Sequence, residues 1–421
     1  MIGVTGISFL CAENKENLVD GRSKIKFIVG VIAPLASLVV FKYLNFFVTS
    51  FCTVFQIINN CSLKIILPVG ISFYTFQSLS YVIDVYRGKQ EKEKDFLEYA
   101  LYISFFPQLV AGPIVLAGRF LPQLKQYRKL KLYNIEIGVQ IFLFGLFKKI
   151  VLADNLSVFV DDVFRSPQLF NSATIWLAAI SYTLQIYLDF SGYSDMAIGC
   201  AKCMGFDLCK NFDLPYLSKN ISEFWKRWHI SLSTWLKDYL YIPLGGNRKG
   251  TVRTYVNLLL TMLIGGLWHG SSWTFVAWGG LHGVALCLDK LRMKFFGSKR
   301  MVPFIRTCLG ILCTDLVVCL LWIFFRAESF SVALSMLQGM FCPQQGIQQM
   351  YSWSFVALVL FAAYVFIAYR KSKKADKSDW TAFYPIFDLS TIKGLLIFFV
   401  TLFLTLGLAY VQSNPFIYFQ F

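Results

Sequence analysis

Long apolar runs, separated by short polar and basic segments, fill the chain from one end to the other. Runs that could span a bilayer, or dip in and return, fall near 27–58, 65–86, 97–117, 135–160, 173–201, 254–270, 271–289, 304–325, 353–369 and 393–413. Most approach the roughly 20 residues that a spanning helix needs. An α-helix closes its own backbone hydrogen bonds, as lipid demands. The pattern predicts an all-α polytopic membrane protein, a single membrane-embedded domain over 1–421. The run at 27–58 is long enough for one tilted helix or two pieces. The run at 97–117 has basic clusters on both sides, and an odd number of crossings cannot place both inside. Its "FPQLVAGP" (106–113) suits a broken or re-entrant element. No internal repeat is visible, so the inverted halves of many transporters are not expected.

One polar-flanked stretch has a different rhythm. Over Ile221 to Leu240, apolar residues fall at Ile221, Phe224, Trp225, Trp228, Leu232, Trp235, Leu236 and Tyr239. Steps of one, three and four make a single stripe at helical period. Ser222, Glu223, Lys226, Arg227, Ser233, Lys237 and Asp238 form the other side, and Asn220 or Ser222 could cap the start. The spacing predicts one continuous amphipathic helix lying in the membrane interface, with His229 at the edge of its stripe. An anchor with an incidental histidine would look the same.

Composition agrees with the pattern. The chain has 421 residues, of which 56% are hydrophobic and only 15% charged, too few charges to cover a soluble surface of that greasiness. The net charge of +16 would suggest nucleic acid in a soluble protein. Here the basic residues sit in clusters between apolar runs, at 22–26, 87–94, 128–131, 247–250 and 371–374. That placement fits cytoplasmic loops beside anionic membrane lipid, so lipid is the expected partner and nucleic acid is not. The eleven cysteines are scattered through apolar runs as small core hydrophobes. "CAKC" at 200–203, with Cys209 beyond, lacks a nearby histidine or second cysteine pair, so no zinc site is expected. The first twenty residues lack the basic start of a secretory signal and read as the tail of a hydrophobic segment.

Chemistry narrows to a few polar residues in the apolar zone. His269 stands in "LIGGLWHGSSW", with Trp268 before it and Gly265, Gly266 and Gly270 around it. An ionisable side chain at membrane depth is costly and usually faces a cavity. A histidine hydrogen-bonded between helices is the structural alternative. His282, in "GGLHG", reads as structural or supporting. "YLDFSGYSDMAIG" (187–199) gathers Asp189, Ser191, Ser194 and Asp195, and buried carboxylates need partners. Arg227, Lys226 or His269 could supply one, making either a pocket wall or a helix-joining ion pair. With three histidines and no H-x-x-x-H spacing, no metal site is expected.

These residues stand in longer runs that resemble a known family. "FWKRWHISLSTWLKDYLYIPLGGNRKG" (224–250) and "GGLWHGSSWTFVAWGGLHG" (265–283) resemble the core of the membrane-bound O-acyltransferases, specifically the alginate O-acetyltransferase branch. So do "LPVGISFYTFQSLSYVIDVYRGK" (67–89), "FFPQLVAGPI" (105–114), "YLDFSGYSDMAIG", "WIFFRAESF" (322–330) and "FIYFQF" (416–421). The likeness runs from about residue 35 to the end. It implies a helical bundle with re-entrant and interfacial helices around a central funnel. It implies acyl transfer from a thioester donor, acetyl-CoA or similar, to hydroxyls of an extracytoplasmic polysaccharide. No bound cofactor is expected.

By the same resemblance His269 takes the place of the catalytic histidine and His229 that of the second polar position. Trp228, Arg227, Ser231, Asp238, Asp189, Ser191, Asp195 and Trp268 are the expected pocket residues. Oxyanion donors could be His229, the backbone near Gly270 and Ser271, or Ser272. An extracytoplasmic acetylation partner protein and a bacterial cytoplasmic membrane, crossed many times, are implied too. Members of the branch begin with further hydrophobic segments, so such segments are expected ahead of Met1. D-alanyl transfer to teichoic acid, or a transporter or channel with a histidine relay, would be the other readings.

Overall fold

The computed structural model describes residues 1–14, 22–57, 63, 65–126, 129–295, 303–374, 384, 386–412 and 415–417. Residues 375–383 and 385 of the polar stretch 370–392 and the last four residues of the "FIYFQF" run lie outside the described residues. Among the described residues the architecture is helical, with one isolated bridge between Phe170 and Ile347 and no strand. Three helices among the described residues are long and apolar enough to cross a membrane by length and composition: Ser23–Val54, Phe304–Arg326 and Ser352–Lys371. The chain packs as two compact units.

The first unit runs from Met1 to Lys129 and includes Gly270–Ser272. The apolar run at 27–58 forms an α-helix, Arg22–Leu38, that continues through a π turn, Val39–Tyr43, into Leu44–Val54. Ile71–Tyr86 is buried along most of its length, and its own Tyr81 packs on Tyr99 with ring centroids 4.4 Å apart. The expected break in 97–117 is present. Phe96–Ser104 starts on an Asp95 cap and stops before Pro107, a short turn Phe106–Leu109 follows, and Ala117–Leu124 begins afresh.

The second unit holds Leu130–His269 and Trp273–Phe421. Leu132–Leu146, a π turn Phe147–Ala153 and Asp154–Arg165 form one long rod against Ser172–Cys203. Glycine permits the contact. A Cβ on Gly145 would stand 2.5 Å from the Gly192 carbonyl oxygen, and one on Gly192 2.8 Å from that of Gly145. Backbones therefore touch there. Thr251–His269 and Trp273–Phe295 form a hairpin by the same device, since a Cβ on Gly266 or Gly279 would run into the facing helix's backbone. Pro303–Arg326, Ser352–Lys374 and Ile392–Gly407 match the remaining predicted runs. Phe330–Phe341 is a helix the apolar pattern did not mark, being only 12 residues long.

The stretch predicted as one interfacial helix is broken and inside. Ile221–Arg227 and Ile230–Leu236 are separate helices of 7 residues, followed by a π turn Lys237–Tyr241. Asn220 caps the first, accepting from the Glu223 N–H at 2.8 Å. The stripe faces protein: Phe224, Trp228 and Leu232 are each no more than 1% exposed. Periodicity detects an apolar face but cannot tell lipid from protein as its cover.

Candidate active site

The break at Trp228–His229 is held by a neighbouring loop. The Asp213 N–H donates to the Arg227 carbonyl and the Ile230 N–H to the Asn211 carbonyl, each at 2.9 Å. Those bonds satisfy groups that an unbroken helix would have paired internally. His229 itself takes φ 42°, left-handed backbone that a histidine rarely adopts. The turn swings its side chain fully inside, rather than leaving it at the stripe's edge as predicted.

Asn211 then fixes the ring. Its Oδ1 accepts from the Ser231 N–H at 3.2 Å and from Ser231 Oγ at 2.9 Å. A backbone N–H can only donate, so that amide face is the oxygen. His229 Nδ1 lies 3.1 Å from the same oxygen and therefore carries the proton. Nε2 is left with the lone pair. Asn211 Nδ2 donates to Ser194 Oγ at 3.2 Å, tying the loop to the Ser172–Cys203 helix. Burial pushes the His229 pKa down to about 3, so the ring is neutral across the physiological range.

His269 ends the Thr251–His269 helix in aromatic surroundings. Trp268, Trp278 and Phe325 meet its ring edge to face, with centroids 5.1, 5.1 and 5.3 Å away. Trp268 also packs on His229, at 6.2 Å. One indole thus touches both histidines. His282 lies behind, edge to face with Trp278 at 4.9 Å and Trp225 at 5.1 Å. The indole N–H of Trp278 and both His282 nitrogens are buried without a hydrogen-bond partner among the described residues. Buried polar groups usually have partners, so donors and acceptors left over beside a histidine pair suit a ligand or water.

The other expected pocket residues divide. Trp228 packs within this aromatic core, 4.9 Å from Trp322 and 5.0 Å from Phe212, and Ser231 serves Asn211. Arg227 braces the short helix instead, pairing with Glu223 at 2.8 Å and donating to the Asp213 carbonyl at 3.2 Å. Asp238 pairs at the surface with Lys237 at 3.8 Å.

Asp189, Ser191 and Asp195 form a second buried cluster, and their partners are not the predicted Arg227, Lys226 or His269. Lys149 binds Asp189 at 2.6 Å and Asp154 at 2.7 Å. Lys148 binds Asp195 and donates to Ser191 at 2.9 Å. Tyr384 OH donates to Asp195 at 3.0 Å, and the Ile417 N–H to Asp189 at 3.1 Å. The adjacent lysines were legible as a polar pair inside the 135–160 run, yet only the π turn brings both inward. Asn211 gave no local signal, and Phe325 none beyond its place in the "WIFFRAESF" run, because their role depends on which loop meets which helix. Among the described residues no group of three His, Cys, Asp or Glu converges as metal donors.

Residues 90–331 match the family described as MBOAT, the membrane-bound O-acyltransferases. The probable alginate O-acetylase of Pseudomonas putida is 40% identical, over 94% of this chain and 84% of that protein. The peptidoglycan O-acetyltransferase of Helicobacter pylori is 41% identical over 76% of this chain and 65% of its own length. More distant is the teichoic acid D-alanyltransferase of Streptococcus thermophilus, 30% identical over 52% of the chain. Both histidines, Asn211 and the aromatic core fall inside the matched region.

Proposed function

The chain belongs to the membrane-bound O-acyltransferase family, and from that we infer that it moves an acetyl group from a thioester donor toward hydroxyls of an extracytoplasmic polysaccharide. The observation that carries the reading is the pair of buried histidines on one indole, with His229 held neutral by burial and its tautomer fixed by Asn211. A sugar hydroxyl is a weak nucleophile at neutral pH. An imidazole at His269 takes its proton as the oxygen attacks the thioester carbonyl. The tetrahedral oxyanion then collapses, the carbon–sulfur bond breaks, and the thiolate leaves with the proton from the imidazolium. General-base help of this kind contributes roughly 10²- to 10⁴-fold. His229 Nε2 suits an acceptor that orients the hydroxyl, better than an oxyanion donor. The Trp278 indole N–H is the donor best placed beside His269 to meet the oxyanion.

The donor in this reading is acetyl-CoA or another acyl thioester, and the enzyme is a multi-pass protein of a bacterial cytoplasmic membrane. An extracytoplasmic acetylation protein completes delivery to the polymer. The test is alkali-labile ester on surface polysaccharide in a deletion strain carrying either the wild-type chain or His269→Ala at matched membrane levels. Acetate restored by wild type alone is the expected result. Equal restoration by both would move the chemistry away from His269. Release of D-alanine instead of acetate would establish the D-alanyl reading.

A further inference from the structure

A groove far simpler than the histidine site lies on the hairpin made by Trp273–Phe295 and Pro303–Arg326. It encloses about 560 Å³. Leu281, Val284 and Leu288 form one wall, and Leu309, Val317 and Leu321 the other. Several of these are open to the surroundings, Leu288 at 60% exposed and Leu309 at 47%. At the end nearest the connection between the two helices stand Lys219, Arg292 and Arg306. Gly310 lets the chain carrying Lys219 settle against the second helix, since a Cβ there would lie 2.8 Å from the Lys219 carbonyl oxygen.

Among the described residues two acids stand at that end, and both are already engaged: Glu223 accepts from the Lys219 N–H at 3.0 Å and pairs with Arg227 at 2.8 Å. Asp289 accepts from Ser222 Oγ at 2.9 Å and from the Ser222 N–H at 3.4 Å, and it pairs with Arg292 at 3.0 Å. Counting Arg227 with Lys219, Arg292 and Arg306, four described cations against these two carboxylates leave the rim positive. From Arg292 to Leu281 the helix descends about 16 Å at 1.5 Å per residue. Half of a hydrocarbon core is about 15 Å. A basic rim over an apolar trough one leaflet deep fits one class of molecule.

The geometry points to a binding site for an anionic phospholipid of the host membrane, its phosphate at Lys219 and Arg306 and an acyl chain along the trough. The site is separate from the acyl-transfer chemistry, and its readout does not depend on activity.

The experiment is native mass spectrometry of the detergent-purified full chain with added phosphatidylglycerol or phosphatidylcholine of matched chains. Phosphatidylglycerol should be retained preferentially. Lys219→Gln with Arg306→Gln leaves the Asp289–Arg292 pair intact. A basic residue near an anionic surface contributes roughly a factor of five, so the double variant should bind about 30-fold more weakly. Val284→Trp fills the trough at an exposed position without touching charge, and should lower retention too. Equal retention of both lipids, or a double variant that binds as wild type does, would overturn the site. So would displacement of the lipid by coenzyme A, which would make the groove a donor site.

Discussion

At His229 the backbone is left-handed and the ring is buried, two costs accepted at one residue. A left-handed non-glycine residue costs on the order of 1–3 kcal/mol and persists where its surroundings over-determine it. Asn211 and Ser231 are those surroundings. Asn211→Ala should therefore lower kcat about 10- to 100-fold, the value of one or two lost hydrogen bonds, with KM little changed. Asn211→Asp keeps the acceptor and should restore part of the rate, with the pH profile moved upward because a carboxylate raises an imidazole pKa.

Burial has a second consequence at this residue. The folded pKa of His229 lies below the ordinary 6.5, so the unfolded chain binds more protons as pH falls below that value. The stability it contributes is present above pH 6.5 and is lost as pH falls toward about 3. His229→Asn tolerates the left-handed backbone and does not titrate. Unfolding free energy, followed through thermal inactivation midpoints, should thus fall less steeply between pH 6.5 and 5 in the variant than in wild type, by up to about 2 kcal/mol. Parallel slopes would place the acid sensitivity elsewhere.

At the scale of the element, the decisive feature is the broken helix. Its stripe was readable at helical period, and nothing in 221–240 is glycine or proline until after Leu240. The break comes from outside, from backbone bonds to Asn211 and Asp213. Trp228 is 1% exposed, so Trp228→Glu would bury an unpaired carboxylate in an aromatic core. Loss of folded protein is expected, measured as detergent-extractable monodisperse material, whereas a lipid-facing Trp would have tolerated the change as mild loosening. The hairpin bearing His269 depends on Gly266 and Gly279 meeting backbone to backbone. Gly279→Ala should force the helices apart, costing about 1–3 kcal/mol and displacing His269 from Trp278. A thermal midpoint unchanged from wild type would show that the contact relaxes without strain.

Across the second unit, the two lysines of the π turn tie the long rod to the Ser172–Cys203 helix, and Ile417 and Tyr384 join the same ladder from far along the chain. Removing one member of a buried pair leaves charge uncompensated, at about 3–5 kcal/mol. Lys149→Met should destabilise by that order. Adding Asp189→Leu should recover part of it, a double-mutant coupling that independent effects would not show.

The helical membrane class, most helix positions and the broken element near Pro107 were determined by the sequence alone, because local periodicity and polar residues in apolar runs report them directly, whereas His229 and His269 were brought together as candidates only by the family resemblance. The identity of the ion-pair partners, the break at His229, its tautomer and the sharing of Trp268 were decided only by tertiary structure. Lys149 and Asp189 stand forty positions apart, and Asn211 and His229 eighteen. Hydrophobic pattern fixes which face of a segment is buried. It carries no information about which distant polar group will be waiting there, since that depends on how the elements pack.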